Sequence, residues 1–155
     1  MSISEYHLYQ LVERIFKDYC IFPPSTVKSV DFIIARDVIL LEVKSKLIYA
    51  YRATKQLIAL AKNAKLYNVS VILIAPIPEN IYEAIAPILY FFKTMQEYKI
   101  SQKEIWLIEL KRMTILRIKL KEDKPIQYFG DFKYVIVDIT LDKKDLLRIL
   151  STAQL

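Results

Sequence analysis

The stretch Val30-Asp31-Phe32-Ile33-Ile34-Ala35-Arg36-Asp37-Val38-Ile39-Leu40-Leu41-Glu42-Val43-Lys44 decides how the rest of the chain is read. Branched aliphatic residues dominate both halves, 30–35 and 38–44, and Arg36-Asp37 between them has the length of a tight turn, so the segment reads as a β-hairpin. With those two residues as the turn, antiparallel partners sum to 73, as 36 and 37 do, and Asp31 stands opposite Glu42. Strand alternation puts Lys44 on the face of Glu42 and turns Leu41 and Val43 to the other side. Opposed carboxylates repel, and a divalent cation between their oxygens offsets that repulsion. The plainer alternative is a solvated strand face on which Lys44 pairs diagonally with Asp31 and no metal is bound.

Outward from the hairpin, the periods set the neighbouring elements. Ser4 can cap a first helix with Glu5 in its first turn, and Leu8, Leu11, Val12, Ile15 and Phe16 recur at helical spacing until about Cys20, before Pro23-Pro24 breaks the pattern. After the hairpin, residues 47–67 return to a helical period, with Ala50, Ala53, Leu57, Leu60, Ala61 and Ala64 as a narrow stripe. Residues 69–75, VSVILIA, read as a buried strand ended by Pro76. An apolar helix over 79–98 is expected to kink or split at Pro87. Strands follow at 104–110, 114–120 and 133–140, and Asp142 can cap a last helix running to Leu150. The order indicates one α/β domain, with a core over about residues 1–110 and an added C-terminal α+β region over about 111–155.

Composition narrows the function. The chain has 155 residues, enough for one domain with a real core. Its single Gly, against about eleven at average usage, excludes the glycine-rich phosphate loops of nucleotide-binding folds. One cysteine, Cys20, and one histidine, His7, can make neither a disulfide nor a structural zinc site, which fits a reducing cytoplasm. Cys20 reads as a small buried hydrophobe and His7 as a partly exposed helix residue. The amino terminus lacks a signal pattern and no apolar run approaches the roughly 18 residues that span a bilayer, so no membrane role is expected. A formal charge of +6 favours a polyanionic partner, with DNA first.

The acid, spacer, then Glu42-Val43-Lys44 resembles the hairpin of the PD-(D/E)XK nuclease superfamily, with Val30 at the nominal proline. The resemblance implies a restriction-endonuclease-like core of helix, strand hairpin within a mixed sheet, helix and strand. It also implies a magnesium-dependent endodeoxyribonuclease, manganese substituting, in which Asp31, Glu42 and the Val43 carbonyl hold the cation and Lys44 orients the attacking water. Residues 30–33 and 41–46 look most like archaeal Holliday-junction resolvases, whose first helix supplies a further acid: Glu5 is the better positional match, Glu13 the alternative. Branched DNA is then the implied substrate. The likeness covers roughly residues 1–75. A decoy of the same spacing, Asp131 followed by Asp142-Lys143-Lys144, fails on context because Asp142 lies where a helix cap is expected.

Arg52, Lys55 and Lys62 lie away from the alanine stripe, with Gln56 and Asn63 at its boundary, and form a candidate DNA-backbone face. Gln56 matches a helix position where many members of the superfamily place a polar residue near the scissile phosphate. Tyr49, Tyr51 and Tyr67 read as packing groups. The apolar helix with Ile81, Ile85, Ile88, Leu89, Phe91 and Phe92 must be covered, either by a second copy in a homodimer or within the chain. The competing functional class is a non-catalytic DNA-binding or assembly protein on the same fold.

Overall fold

The computed structural model describes residues 5–19, 21–22, 32–34 and 39–153. The elements are α1 (Glu5–Ile15), β1 (Ile21–Phe22), β2 (Phe32–Ile34), β3 (Ile39–Val43), α2 (Leu47–Arg52), α3 (Thr54–Tyr67), β4 (Ser70–Pro76), α4 (Tyr82–Glu97), β5 (Lys103–Glu109), β6 (Thr114–Leu120), β7 (Lys133–Ile139) and α5 (Lys143–Thr152). Strands β3 to β7 form the body of one mixed sheet, which the short β1 and β2 extend at one edge, in the order β1-β2-β3-β4-β5-β6-β7. β1, β2 and β3 run antiparallel in succession, β3, β4 and β5 are parallel, β6 reverses, and β7 runs with β6.

Handedness then sorts the connections. The crossovers from β3 to β4 and from β4 to β5 step the same way across the sheet, so right-handed connection puts α2, α3 and α4 on one face. β6 points the other way, and the same hand sends the 121–132 connection to the opposite face, where Ile126 and Tyr128 are buried. Alternation along the strands matches these layers. Leu40, Leu73, Leu107 and Leu116 meet α2 to α5, whereas Leu41, Ile72, Trp106 and Ile115 meet α1 and the 121–132 connection. β4 is buried on both faces, which is why its sequence is a continuous apolar run rather than an alternating one.

The hairpin register agrees with the sequence reading: Phe32 pairs with Leu41, Ile33 with Leu40 and Ile34 with Ile39, each summing to 73. Arg36 and Asp37 lie outside the described residues, as does Cys20. Asp142 caps α5, its Oδ1 accepting from the Asp145 N–H at 2.9 Å. α3 ends at Asn68, held in the left-handed region at φ 53°, where its N–H returns to Ala64 and Lys65 carbonyls.

One expectation needs correction and two are narrowed. The helix over 47–67 is two helices, broken at Ala53, whose ψ of 60° leaves the helical region. Neither Pro nor Gly marks the break, and the apolar stripe stays in phase across it. Pro87 does not split α4, which runs through it from Tyr82 to Glu97. The proline sits in the second turn, and the carbonyl deprived of its N–H belongs to exposed Glu83. The apolar side of α4 needs no second copy: Ile85, Ile88, Phe91 and Phe92 are buried within the chain, with Ile81 and Leu89 packed at the margin of the same core. Among the described residues no helix is long and apolar enough to cross a membrane.

Candidate active site

Glu42 is the penultimate residue of β3, paired in register with Leu73 of β4. It shares the Leu40 side of the strand and points toward the layer of α2 and α3, with only 6% of its surface exposed. A carboxylate this buried needs a partner. Lys44, one residue beyond the strand, places its Nζ 3.2 Å from Glu42 Oε1. The same ammonium donates to Gln56 Oε1 in the first turn of α3. Three residues singled out in the sequence, Glu42, Lys44 and Gln56, therefore meet at the C-terminal ends of β3 and β4. Ligand sites of open α/β sheets form at these strand ends. A pocket of about 360 Å³ opens beside them, lined in part by Ser45, Lys46, Glu79 and Asn80.

The Lys44 N–H donates to the Ile74 carbonyl of β4 at 2.9 Å. Backbone alternation then directs the Val43 carbonyl to the other edge of β3, the β2 side. A buried carboxylate and a backbone carbonyl at one strand end are hard oxygen donors of the kind magnesium takes. Asp31, the expected third donor, lies outside the described residues. No cluster of three acidic, histidine or cysteine side chains occurs among the described residues. Glu5 opens α1, which packs on the sheet face opposite the one Glu42 points from, and its side chain is not described. Glu13 is exposed and lines a cleft with Arg14, Arg112 and Asp131. The structure does not bring Glu13 to Glu42.

Arg52, Lys55 and Lys62 are exposed, the first closing α2 and the others one face of α3. Tyr49, Tyr51 and Tyr67 are 40%, 43% and 54% exposed, outside the core, and Tyr51 packs edge-on against Tyr90 at 5.6 Å. His7 is exposed. The decoy dissolves, since Asp142 caps α5 and Asp131 pairs with Lys17 at 2.7 Å.

A second polar cluster escaped the sequence reading. Glu104 and Arg117 are 0% and 2% exposed, on adjacent strands. Glu104 Oε1 accepts from Arg117 Nε and from Trp106 Nε1, both at 2.8 Å. Its Oε2 accepts from Arg117 Nη2 at 3.1 Å and from the Ile126 N–H. The guanidinium also donates to the Ile126 carbonyl and lies 4.9 Å from the Trp106 ring centre. With four donors on one carboxylate its acceptor capacity is filled, so the cluster clamps the 121–132 connection to β5 and β6 and has nothing left for a ligand. An acid and an arginine set among the apolar residues of the strands KEIWLIE and TILRIKL were the available signal.

Comparison of the chain with models of known protein families, with curated proteins and with solved structures finds no match.

Proposed function

We propose that the chain is a divalent-cation-dependent nuclease that hydrolyses DNA phosphodiesters on a restriction-endonuclease-like core. The observation that carries this reading is the meeting of Glu42, Lys44 and Gln56 at the end of β3, whose pairing with β2 keeps the register expected from the sequence, Phe32 with Leu41. The order of helix, antiparallel hairpin, helix and parallel strand beside β3 supports it too.

In this account Asp31, Glu42 and the Val43 carbonyl would hold magnesium, or manganese in its place. Such a cation supplies charge neutralisation at the phosphate and a bound water of lowered pKa. Lys44, fixed by Glu42 and Gln56, orients the attacking water and faces the charge that develops on the phosphoryl oxygens. Arg52, Lys55 and Lys62 take neighbouring phosphates, contacts that position a backbone without reading bases. The preferred target is therefore a DNA shape, and the resemblance to junction resolvases makes four-way DNA the first to try. The non-catalytic alternative draws on the same ion pair, because Lys44 and Glu42 satisfy one another without a metal.

Incubating four-way, duplex and plasmid DNA with the protein, with and without magnesium, tests the proposal. Magnesium-dependent strand breaks are expected. Binding without cleavage under every condition would favour the non-catalytic reading.

A further inference from the structure

The strand ends that carry the candidate site also carry a second concentration of positive charge, at the far side of the sheet. β5 ends at Glu109 opposite Thr114, the first residue of β6, and Lys133 opens β7 opposite the same Thr114. The 110–113 turn and Lys133 therefore stand along the edge that begins with Lys44 after β3. α1 lies against this end, and between them is a cleft of about 830 Å³ whose charged lining is Glu13, Arg14, Lys17, Arg112, Asp131 and Lys133.

Four cations face two acids there, and pairing takes one of each: Asp131 is held by Lys17 at 2.7 Å, which leaves Arg14, Arg112 and Lys133 against Glu13. Glu109, beside the cleft, accepts from the Lys111 and Arg112 backbone N–H groups at 3.2 and 2.6 Å, so its charge holds the turn. Arg14 stands 5.8 Å from the ring centre of Phe132, and both Arg14 and Lys133 are exposed. At the opposite strand ends Lys103 and Lys119 are buried and paired, with Asp123 at 2.8 Å and Asp138 at 2.7 Å, while Lys121, directly after β6, is exposed.

We propose that this cleft is a second phosphate-binding surface, which grips the backbone of the nucleic acid at a distance from Glu42 and Lys44; what that nucleic acid is rests on the nuclease reading. Three to four strand steps of about 4.8 Å separate β3 from β6 and β7, roughly 14–19 Å. At about 3.4 Å per base pair that is four to six base pairs, so one duplex arm lying along the strand ends reaches both places.

The test is anisotropy of a labelled 30-base-pair duplex without magnesium, over a salt series, for the wild type, Arg14→Gln/Lys133→Gln and the charge-keeping Arg14→Lys/Lys133→Arg. Each phosphate that is no longer neutralised lowers the log-log salt slope by about 0.9, so the neutral double variant should lose about two from the slope, and binding should weaken about ten- to hundred-fold near 0.1 M salt. The charge-keeping variant should restore both, and far-UV circular dichroism should show all three folded alike. A neutral variant with the wild-type slope overturns the surface, as does a wild type that binds no duplex. The two readings fail separately: slope lost with no magnesium-dependent cleavage by the wild type retains the surface and removes the nuclease, whereas cleavage with an unchanged slope does the reverse.

Discussion

The Lys44 ammonium is held from two directions, by the Glu42 carboxylate on its own strand face and by the Gln56 amide from α3. An amine steered by two acceptors has few orientations left, and this is what a water-positioning group requires. Gln56→Ala removes one of the two and leaves the core untouched, since Gln56 is exposed. Cleavage should fall about 10- to 100-fold, the usual cost of losing a partner that orients a group at a metal site, with no change in melting temperature. Single-turnover rates and thermal melts check both, and an unchanged rate removes Gln56 from the site. At Tyr128 the chemistry is structural: burial pushes its hydroxyl up to about 12 from 10.0. An unfolded tyrosine loses its proton near pH 10, so between about pH 10 and 12 the unfolded state binds fewer protons and stability falls as pH rises. Tyr128→Phe lacks this contribution. Urea midpoints at about pH 9 and 11.5 should therefore drop further for the wild type than for the variant.

Among the elements, β5, β6 and the 121–132 connection depend on the Glu104 and Arg117 pair. Removing one partner strands the other charge in the core, so Glu104→Ala and Arg117→Met should each cost about 3–5 kcal/mol. The double variant Glu104→Met/Arg117→Met should recover only part, because the Trp106 Nε1 and Ile126 N–H stay without their acceptor. Denaturant unfolding of the four proteins measures this, and additive losses would contradict it. Local features of this kind divide into those a sequence exposes and those it hides. The hairpin register and the shared face of Glu42 and Lys44 were legible because a period of two and a short turn are properties of neighbouring residues. Asp142 as a cap was legible for the same reason. The break at Ala53 was not, since the stripe keeps its phase from Ala50 to Leu57 and neither Pro nor Gly stands there. The cover on α4 was not either: a helix apolar on all sides looks the same whether its own sheet or a second copy buries it. Arg14 and Lys133 are more than a hundred positions apart, and only the sheet brings them to one cleft.

For the whole molecule, the charge of +6 is distributed by the fold. Lys103 and Lys119 at one set of strand ends are buried in ion pairs, while Arg14 and Lys133 at the other set, with Arg52, Lys55 and Lys62 on α2 and α3, are exposed. If about three to five phosphates are neutralised there, binding should weaken with a log-log salt slope of roughly −3 to −5 whatever the DNA sequence. The central claim is that the ends of β3 and β4 hold a metal-assisted phosphodiester site. The most direct measurement is the single-turnover cleavage rate of a four-way junction in magnesium by the wild type, Glu42→Gln and Lys44→Ala, each shown to be folded and to bind the junction in calcium. The account predicts magnesium-dependent cleavage by the wild type, lost in Glu42→Gln and slowed about 10²- to 10³-fold or more in Lys44→Ala. Cleavage at the wild-type rate by either variant, or none by the wild type, would contradict it.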